Sequence, residues 1–333
     1  MITLLLLTAE DNIHDPSNLQ AIPDGYDVRD GRNWRDWSYG KLLAACREAE
    51  VIVTGRSSPR LPEELIENAG RLKWVCHLYG TVRHLLRREH IEAGITLSNW
   101  GDTIRPVAEG TLALLMCQIR QIPGLDRYSC TDDIDQCIPQ SYNVELRGMR
   151  VGLYGCGPIG RQLAGMLVAL GAKLAIYDPH MDSPPPGDVK LCATIEELFS
   201  SVPAVCVMCG LNEHTRNSVT RDLLERLPPG GVLINTARGE IVDEDALAEL
   251  VSAGRILAGC DVVREEGNWP GSPLAGLDGA VLTRHRVGMG VRHPRAKLPP
   301  LPIPEHCIEN LRAYAAGRPL KHTISPDMYD LKT

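Results

Sequence analysis

Short apolar segments alternate with longer stretches of helical spacing along most of the chain. This alternation predicts repeated β-α units and a parallel sheet, in which buried strands read as continuous apolar runs. For the first part of the chain we predict strands at 3–7, 51–54, 72–76 and 95–98, and helices at 41–49 and 62–68.

A second series of β-α units begins near residue 149. We predict strands at 150–154, 174–178, 204–208, 232–235, 256–261 and 280–283, and helices at 159–170, 195–199, 221–226, 244–253 and 305–316. Six strands with helical crossovers match the size of a doubly wound nucleotide-binding sheet.

Residues 284–304 are rich in arginine and proline and show no helical or strand period, so we interpret them as an atypical connector. A chain that leaves the second sheet in this way is expected to return to the first domain. The predicted domains are therefore a discontinuous one, residues 1–102 and 304–333, and a nucleotide-binding one, residues 103–290.

The stretch from residue 107 to 116 is apolar almost all round, which is typical of a helix buried between domains or subunits. We expect a homodimer formed through the nucleotide-binding domain. The alternative is that this helix is buried within one chain.

The length and composition of the chain limit the class of protein to which it can belong. A chain of 333 residues favours two domains, and a net charge of −7 argues against binding to nucleic acid. No run of 18 apolar residues exists to cross a membrane, and the opening residues predict a strand rather than a signal peptide.

The 11 cysteines are scattered without a framework, which predicts reduced thiols in a cytoplasmic protein. Cys206 and Cys209 form a C-x-x-C pattern inside an apolar run, where a strand would turn the two sulfurs to opposite faces. No second pair completes a zinc site, so we predict no metal centre.

A glycine-rich turn follows the strand at 150–154. Gly155, Gly157 and Gly160 give the pattern G-x-G-x-x-G, and Pro158 and Ile159 open the next helix. The first glycine permits the turn, the second admits a pyrophosphate, and the third lets helix and strand pack closely. The context predicts a dinucleotide-binding site.

Asp178 closes the next predicted strand, eighteen residues beyond Gly160. A carboxylate there accepts hydrogen bonds from a ribose 2′-hydroxyl and repels a 2′-phosphate, and no arginine follows in residues 179–181. We therefore predict NAD as the cofactor rather than NADP.

Arg238 follows the strand at 232–235, at the sheet edge where ligands bind in open α/β sheets. Its planar guanidinium suits a carboxylate, through two parallel hydrogen bonds. An acid is thus the candidate ligand.

The residues around Arg238 carry a resemblance to a known family. Asn235 to Gly239 with Val242-Asp243 resemble the N-x-x-R-G-x-x-V-D signature of the D-isomer-specific 2-hydroxyacid dehydrogenases, and the similarity extends from about residue 72 onward. The resemblance implies an α/β protein in which a Rossmann-type doubly wound parallel sheet is inserted into a smaller, flavodoxin-like substrate domain.

The same resemblance implies a catalytic set. Arg238 would bind the substrate carboxylate, His285 would exchange a proton with the substrate oxygen, and Glu266 would orient His285. Gly267 and Arg284 stand where the family has prolines, so this chain departs from the pattern beside both residues.

Further contacts follow from the same alignment of motifs. We predict cofactor contacts from Met208, Asn212, Thr236, Ala237 and Asp261, and substrate contacts from Tyr79, Gly80, Thr81 and Arg238.

The function implied is an oxidoreductase that transfers a hydride between NAD(H) and a small 2-keto or 2-hydroxy acid, with D specificity. The alternative is a non-catalytic NAD-sensing regulator, similar to the corepressors that share this fold. The altered turns beside Glu266 and His285 favour this alternative. The presence of all three catalytic candidates, Arg238, Glu266 and His285, favours the enzyme.

Overall fold

The structure is a computed structural model that describes residues 1–101, 105–128, 145–289 and 303–332. The chain divides into two compact units. Unit 1 comprises Met1–Thr103 and Arg292–Thr333, and unit 2 comprises Ile104–Val291.

Unit 1 contains a five-stranded parallel sheet in the order β2-β1-β3-β4-β5, which is the flavodoxin-like order. Its elements are β1 (Ile2–Leu7), α1 (Pro16–Ala21), β2 (Tyr26–Asp30), α2 (Tyr39–Glu48), β3 (Val51–Thr54), α3 (Glu64–Glu67), β4 (Trp74–His77), α4 (Arg88–Glu92), β5 (Thr96–Ser98), α11 (Glu305–Ala315) and α12 (Pro326–Lys332).

Consecutive leucines in β1 show why this sheet forms. Leu5 and Leu7 enter the core on one face, and Leu4 and Leu6 enter the core on the other. Helix α11 packs Leu311 against the second face, so the end of the chain belongs to the same unit as its beginning.

Unit 2 contains a seven-stranded parallel sheet in the order β12-β11-β10-β9-β6-β7-β8. Its elements are α5 (Arg105–Ile119), α6 (Ile122–Tyr128), β6 (Arg150–Tyr154), α7 (Pro158–Ala169), β7 (Lys173–Tyr177), β8 (Val189–Leu191), α8 (Ile195–Ser200), β9 (Ala204–Val207), α9 (Arg221–Arg226), β10 (Gly231–Asn235), α10 (Glu244–Ser252), β11 (Ile256–Cys260) and β12 (Ala280–Leu282). The strand order reverses between β6 and β9, which is where ligands bind in such sheets.

The predicted α/β class with a doubly wound sheet is confirmed, but the prediction of six strands in the second series was wrong. The additional strand, β8, has three residues on the sheet edge, and Leu191 is exposed. A short edge strand lacks the buried apolar run on which the prediction relied. In the unit 1 sheet, the edge strand β2 was also missed, because it is largely exposed and carries the charged residues Asp27 and Arg29.

Helix α5 has one buried face, formed by Ala108, Thr111, Leu114, Leu115 and Gln118. The Gln118 side chain donates to the backbone oxygen of Gly279 at 3.1 Å and also to that of Ala258. The helix is therefore anchored on its own sheet, and association through its remaining surface stays a prediction.

The predicted domain boundary at residues 102 and 103 lies outside the described residues. Residues 290–302 of the predicted connector lie outside them as well. Within the described ranges, no helix is both long enough and apolar enough to cross a membrane.

Candidate active site

The glycine-rich turn connects β6 to α7. Gly155 has φ of 91°, and a Cβ atom on it would lie 2.6 Å from the backbone nitrogen of Cys209. Only glycine fits here, both in conformation and in space. A Cβ atom on Gly160 would lie 2.8 Å from the Gly155 oxygen, so the third glycine permits close packing of helix on strand.

Gly157 faces open space. It caps the N-terminus of α7, Pro158 follows in the first turn, and a Cβ atom on Gly157 would meet no atom within 4 Å. A phosphate can therefore approach the backbone and the positive end of the helix dipole. Ile159 packs against the core and fixes the first turn of the helix. These residues fit the pyrophosphate of a dinucleotide.

The thiols beside the turn carry no negative charge at neutral pH. Burial raises the pKa of Cys156 to about 11 and that of Cys209 to about 12. They therefore do not repel an anion at the turn.

Asp178 follows β7 and lies against the turn. One carboxylate oxygen accepts from the backbone nitrogen of Cys156 at 2.7 Å, and the other accepts from that of His180 at 2.9 Å. Each oxygen retains a lone pair for a further donor, because a carboxylate offers about four acceptor sites. The position fits a ribose hydroxyl.

The loop after β10 presents Arg238. Asn235 is buried, its side-chain oxygen accepts from the Ala237 nitrogen at 3.1 Å, and its amide donates to the Arg238 oxygen at 2.9 Å. The Arg238 guanidinium donates to the Ala237 oxygen at 2.7 Å, and the side chain is partly exposed. The asparagine of the signature thus shapes the loop that carries the arginine.

The remaining residues of the signature fix the Arg238 loop to the rest of unit 2. A Cβ atom on Gly239 would lie 2.0 Å from the backbone carbon of Val263, so glycine is required where two loops touch. Val242 is buried in the core, and the Asp243 carboxylate caps α10 by accepting from the Ala246 nitrogen at 3.1 Å.

Thr236 connects the end of β10 to neighbouring elements. Its hydroxyl lies 2.8 Å from the Thr111 hydroxyl on α5 and 3.5 Å from the sulfur of Met208, which follows β9. Met208 and Thr236 therefore lie together at the switch point, beside the glycine-rich turn. Asn212 lies further out, where its side-chain oxygen accepts from the nitrogens of His214 and Thr215.

Glu266 and His285 are in contact. The Nδ1 atom of His285 lies 2.8 Å and 3.0 Å from the two carboxylate oxygens of Glu266. Both side chains are accessible, with 46% of His285 and 38% of Glu266 exposed. The pair therefore has the arrangement of a proton-transferring histidine and the carboxylate that orients it.

A buried glutamate that the sequence analysis missed anchors the loop of Glu266. Glu244, at the start of α10, accepts from the Arg264 nitrogen at 2.5 Å and from the Ser272 hydroxyl at 2.6 Å. Sequence gives little signal for this role, because the partners lie 20 and 28 residues away.

Asp261 is buried at the end of β11. One of its carboxylate oxygens accepts from the hydroxyl of Thr283 at 2.5 Å and from the nitrogens of Arg286 and Val287 at 2.8 Å and 2.9 Å. This residue, predicted as a cofactor contact, fastens the segment that carries His285. Its contact with a cofactor stays a prediction.

Strand order brings the candidate residues to one edge of the sheet. Arg238, Glu266 and His285 follow β10, β11 and β12, which are neighbours and run parallel. The carboxyl ends of parallel strands share an edge, and the glycine-rich turn follows β6 at the same edge. An acid and a dinucleotide would meet there.

The predicted substrate loop lies in unit 1. Tyr79 follows β4, its hydroxyl donates to the Glu10 carboxylate at 2.8 Å, and its ring lies 4.6 Å from the Arg56 guanidinium. Burial raises the pKa of Tyr79, so the phenol keeps its proton. Gly80 permits the close approach of Trp100, whose ring nitrogen would lie 2.6 Å from a Cβ atom there.

Thr81, the third predicted residue of this loop, is partly buried. Glu10, Arg56 and Trp100 also neighbour the loop and were not predicted. Their positions just after β1, β3 and β5 were the available signal, since these strands end at the same sheet edge.

The fold and the turn define a dinucleotide-binding protein of the Rossmann class. Residues 112–286 match the family model described as "D-isomer specific 2-hydroxyacid dehydrogenase, NAD binding domain". This segment is more than half of the 333 residues. The chain therefore belongs to the D-isomer-specific 2-hydroxyacid dehydrogenase family, as its signature predicts.

Individual relatives agree with the family. D-3-phosphoglycerate dehydrogenase of Mycobacterium tuberculosis is 30% identical over 274 residues, which cover 81% of this chain and 50% of that protein. Glyoxylate/hydroxypyruvate reductase A of Arabidopsis thaliana is 28% identical over 291 residues, covering 87% and 90%. The chain thus spans about half the length of the phosphoglycerate dehydrogenases that it matches.

The fold is similar to that of solved structures. A D-isomer specific 2-hydroxyacid dehydrogenase from Lactobacillus delbrueckii ssp. bulgaricus, solved in its NAD complexed form, superposes with a TM-score of 0.74. The match covers 97% of this chain and 99% of that chain at 19% identity, so it supports the fold alone.

Proposed function

We propose that the protein is an NAD-dependent oxidoreductase acting on a small 2-keto or 2-hydroxy acid of D configuration. The observation that carries this proposal is the contact of Glu266 with His285, at the same sheet edge as Arg238 and the glycine-rich turn. When bound, NAD(H) supplies or accepts the hydride.

Each residue of the trio has a separate task. Arg238 binds the carboxylate of the acid through two parallel hydrogen bonds. Because Nδ1 of His285 faces Glu266, Nε2 is the atom that gives a proton to the substrate oxygen during reduction and removes it during oxidation. Glu266 fixes the ring and its tautomer.

We further propose that residues 103–290 form the NAD-binding domain and that residues 1–102 and 304–333 form the substrate domain. Tyr79, Gly80 and Thr81 would contact the acid, because they follow β4 at the carboxyl edge of the unit 1 sheet. Met208, Asn212, Thr236, Ala237 and Asp261 would contact the cofactor.

Two properties of the whole protein belong to this proposal. A homodimer is supported by apolar side chains on α6, where Ile122 and Leu125 are 52% and 43% exposed. A cytoplasmic location is supported by the cysteines, since every cysteine of the described residues is a free thiol.

The second candidate is a non-catalytic NAD-sensing regulator of the same fold. The observation that favours it is the departure from the family pattern beside the catalytic pair, with Gly267 and Arg284 in place of prolines. Under this alternative NAD binds, but no acid is turned over.

The test is a steady-state assay of the purified protein with a panel of 2-keto acids and either NADH or NADPH, followed by loss of nicotinamide absorbance. We expect turnover with NADH and a much lower kcat/KM with NADPH. Asp178→Ala should reduce the difference in kcat/KM between the two cofactors, because it removes the carboxylate that repels the 2′-phosphate of NADPH. NADH binding without turnover of any acid would favour the regulator. Equal affinities for both cofactors would refute the NAD preference.

A further inference from the structure

The backbone that carries His285 is unusual. Arg284 stands where the family pattern has proline, and both Arg284 and His285 are left-handed, with φ of 56° and 55°. Residues other than glycine rarely adopt this conformation, because the Cβ atom crowds a neighbouring carbonyl oxygen. Two in succession therefore need contacts that hold them.

Part of that support comes from β11. The backbone nitrogen of His285 donates to the Asp261 oxygen at 2.5 Å, and the Asp261 carboxylate binds residues on both sides of the turn. These bonds fix the ends of the turn. A separate contact involves the side chain of Arg284.

The Arg284 guanidinium lies 5.9 Å from the centre of the Trp269 ring. Trp269 is partly buried and starts the short 3₁₀ helix Trp269–Gly271, in the loop that also carries Glu266. A guanidinium at this distance is attracted to the face of an indole. The contact thus joins the loop of Glu266 to the turn of His285.

We propose that Trp269 and Arg284 are positioning residues that hold His285 against Glu266. This inference rests on the proposed function and deepens it. Proline cannot adopt a φ of 56°, so the Arg284 turn is a different solution from the proline of the family pattern. The tryptophan contact stabilises a left-handed turn that the backbone alone disfavours.

The sharpest test compares Arg284→Ala with Arg284→Gly. Both variants lose the contact with Trp269, but glycine accepts a positive φ without strain and alanine does not. We expect Arg284→Ala to lower kcat about tenfold with an unchanged KM for the acid, and Arg284→Gly to stay within about threefold of the parent.

Variants of Trp269 test the proposal independently. Trp269→Ala should lower kcat as Arg284→Ala does, and the double variant should be no worse, because both changes remove one contact. Trp269→Phe keeps an aromatic face and should restore most of the rate. Arg284→Pro should abolish turnover, since it forces the turn into another conformation.

A measurement without substrate keeps the inference testable if no acid is turned over. Ring signals of ¹⁵N-labelled histidine, with His285 assigned from the spectrum of His285→Ala, should shift in Arg284→Ala and Trp269→Ala and stay near those of the parent in Arg284→Gly. The proposal would be overturned if Arg284→Ala and Arg284→Gly lowered kcat equally and both raised the KM for the acid, since Arg284 would then bind substrate. Unchanged ring signals in Trp269→Ala would overturn it as well.

Discussion

His77, the last residue of β4, is fully buried, and its Nδ1 lies 3.0 Å from the Thr54 hydroxyl. Burial lowers the pKa of His77 from 6.5 to about 3, and burial also lowers that of His306 to about 4. An unfolded chain regains the ordinary pKa, so it binds more protons than the folded chain between about pH 4 and 6.5. The free energy of unfolding must fall as the pH falls through this range.

We predict that His77→Leu flattens the loss of stability between pH 6.5 and 4, because the variant removes one proton that the unfolded chain takes up. Each such proton contributes a slope of about 1.4 kcal/mol per pH unit. Urea unfolding followed by tryptophan fluorescence reports chiefly on unit 1, which contains Trp34, Trp37, Trp74 and Trp100.

The control for this measurement is His214→Leu, since His214 is exposed. It should leave the slope as in the parent. A His77 variant whose stability declines as steeply as the parent's at every pH would contradict a neutral, buried His77.

The sequence was most informative for residues that lie inside a recognisable motif. The contact between Glu266 and His285 could be predicted, because the spacing of these residues matches a family pattern. The role of Glu244 could not be predicted, because glutamate is usually a solvated residue and its partners lie 20 and 28 residues away in the chain. The fastening role of Asp261 needed three dimensions for the same reason.

At the scale of elements, the glycine-rich turn gives a matched set of variants. We predict that Gly157→Ala lowers NADH affinity about tenfold or more with only a small loss of stability, because its Cβ atom would enter the space that a phosphate needs and alanine is a poorer N-cap than glycine. Gly155→Ala should instead destabilise unit 2, through its positive φ and the contact with Cys209. Calorimetric titration and thermal unfolding separate the two effects.

Gly165→Ala is the control for this set, since it lies in the same helix α7 and also faces open space. It should change neither affinity nor, apart from a small gain in helix propensity, stability. Equal NADH affinities of Gly157→Ala and Gly165→Ala would contradict the role of Gly157 in admitting the phosphate.

Elements were predictable where apolar runs are buried on both faces. The predicted limits of β3 and β6 agree with the structure, because every residue of β3 is buried, as are four of the five in β6. The edge strands β2 and β8 were missed, because half-exposed strands carry charges or are very short. The short helices α1 and α4 were missed because each has few apolar residues, and the residues that they bury are the polar Asn18 and His90.

At the scale of the whole molecule, we predict a dimer with a mass in light scattering about twice the chain mass of 36.5 kDa. Ile122→Asp combined with Leu125→Asp should shift the mass to that of the monomer, because charges would enter an apolar interface. Leu191→Asp is the control, since Leu191 is 53% exposed on the edge strand β8. A parent protein that scatters as 36.5 kDa at micromolar concentration would refute the dimer.

In the proposed function, His285 transfers a proton at a site that binds NADH independently of it. The most direct measurement is turnover of His285→Ala beside its NADH affinity, with exposed His214→Ala as the control. We predict a fall in kcat of about a hundredfold or more, with NADH affinity within about twofold of the parent, because general acid catalysis typically contributes factors of about 10² to 10⁴. Turnover of His285→Ala at the level of His214→Ala would contradict the claim.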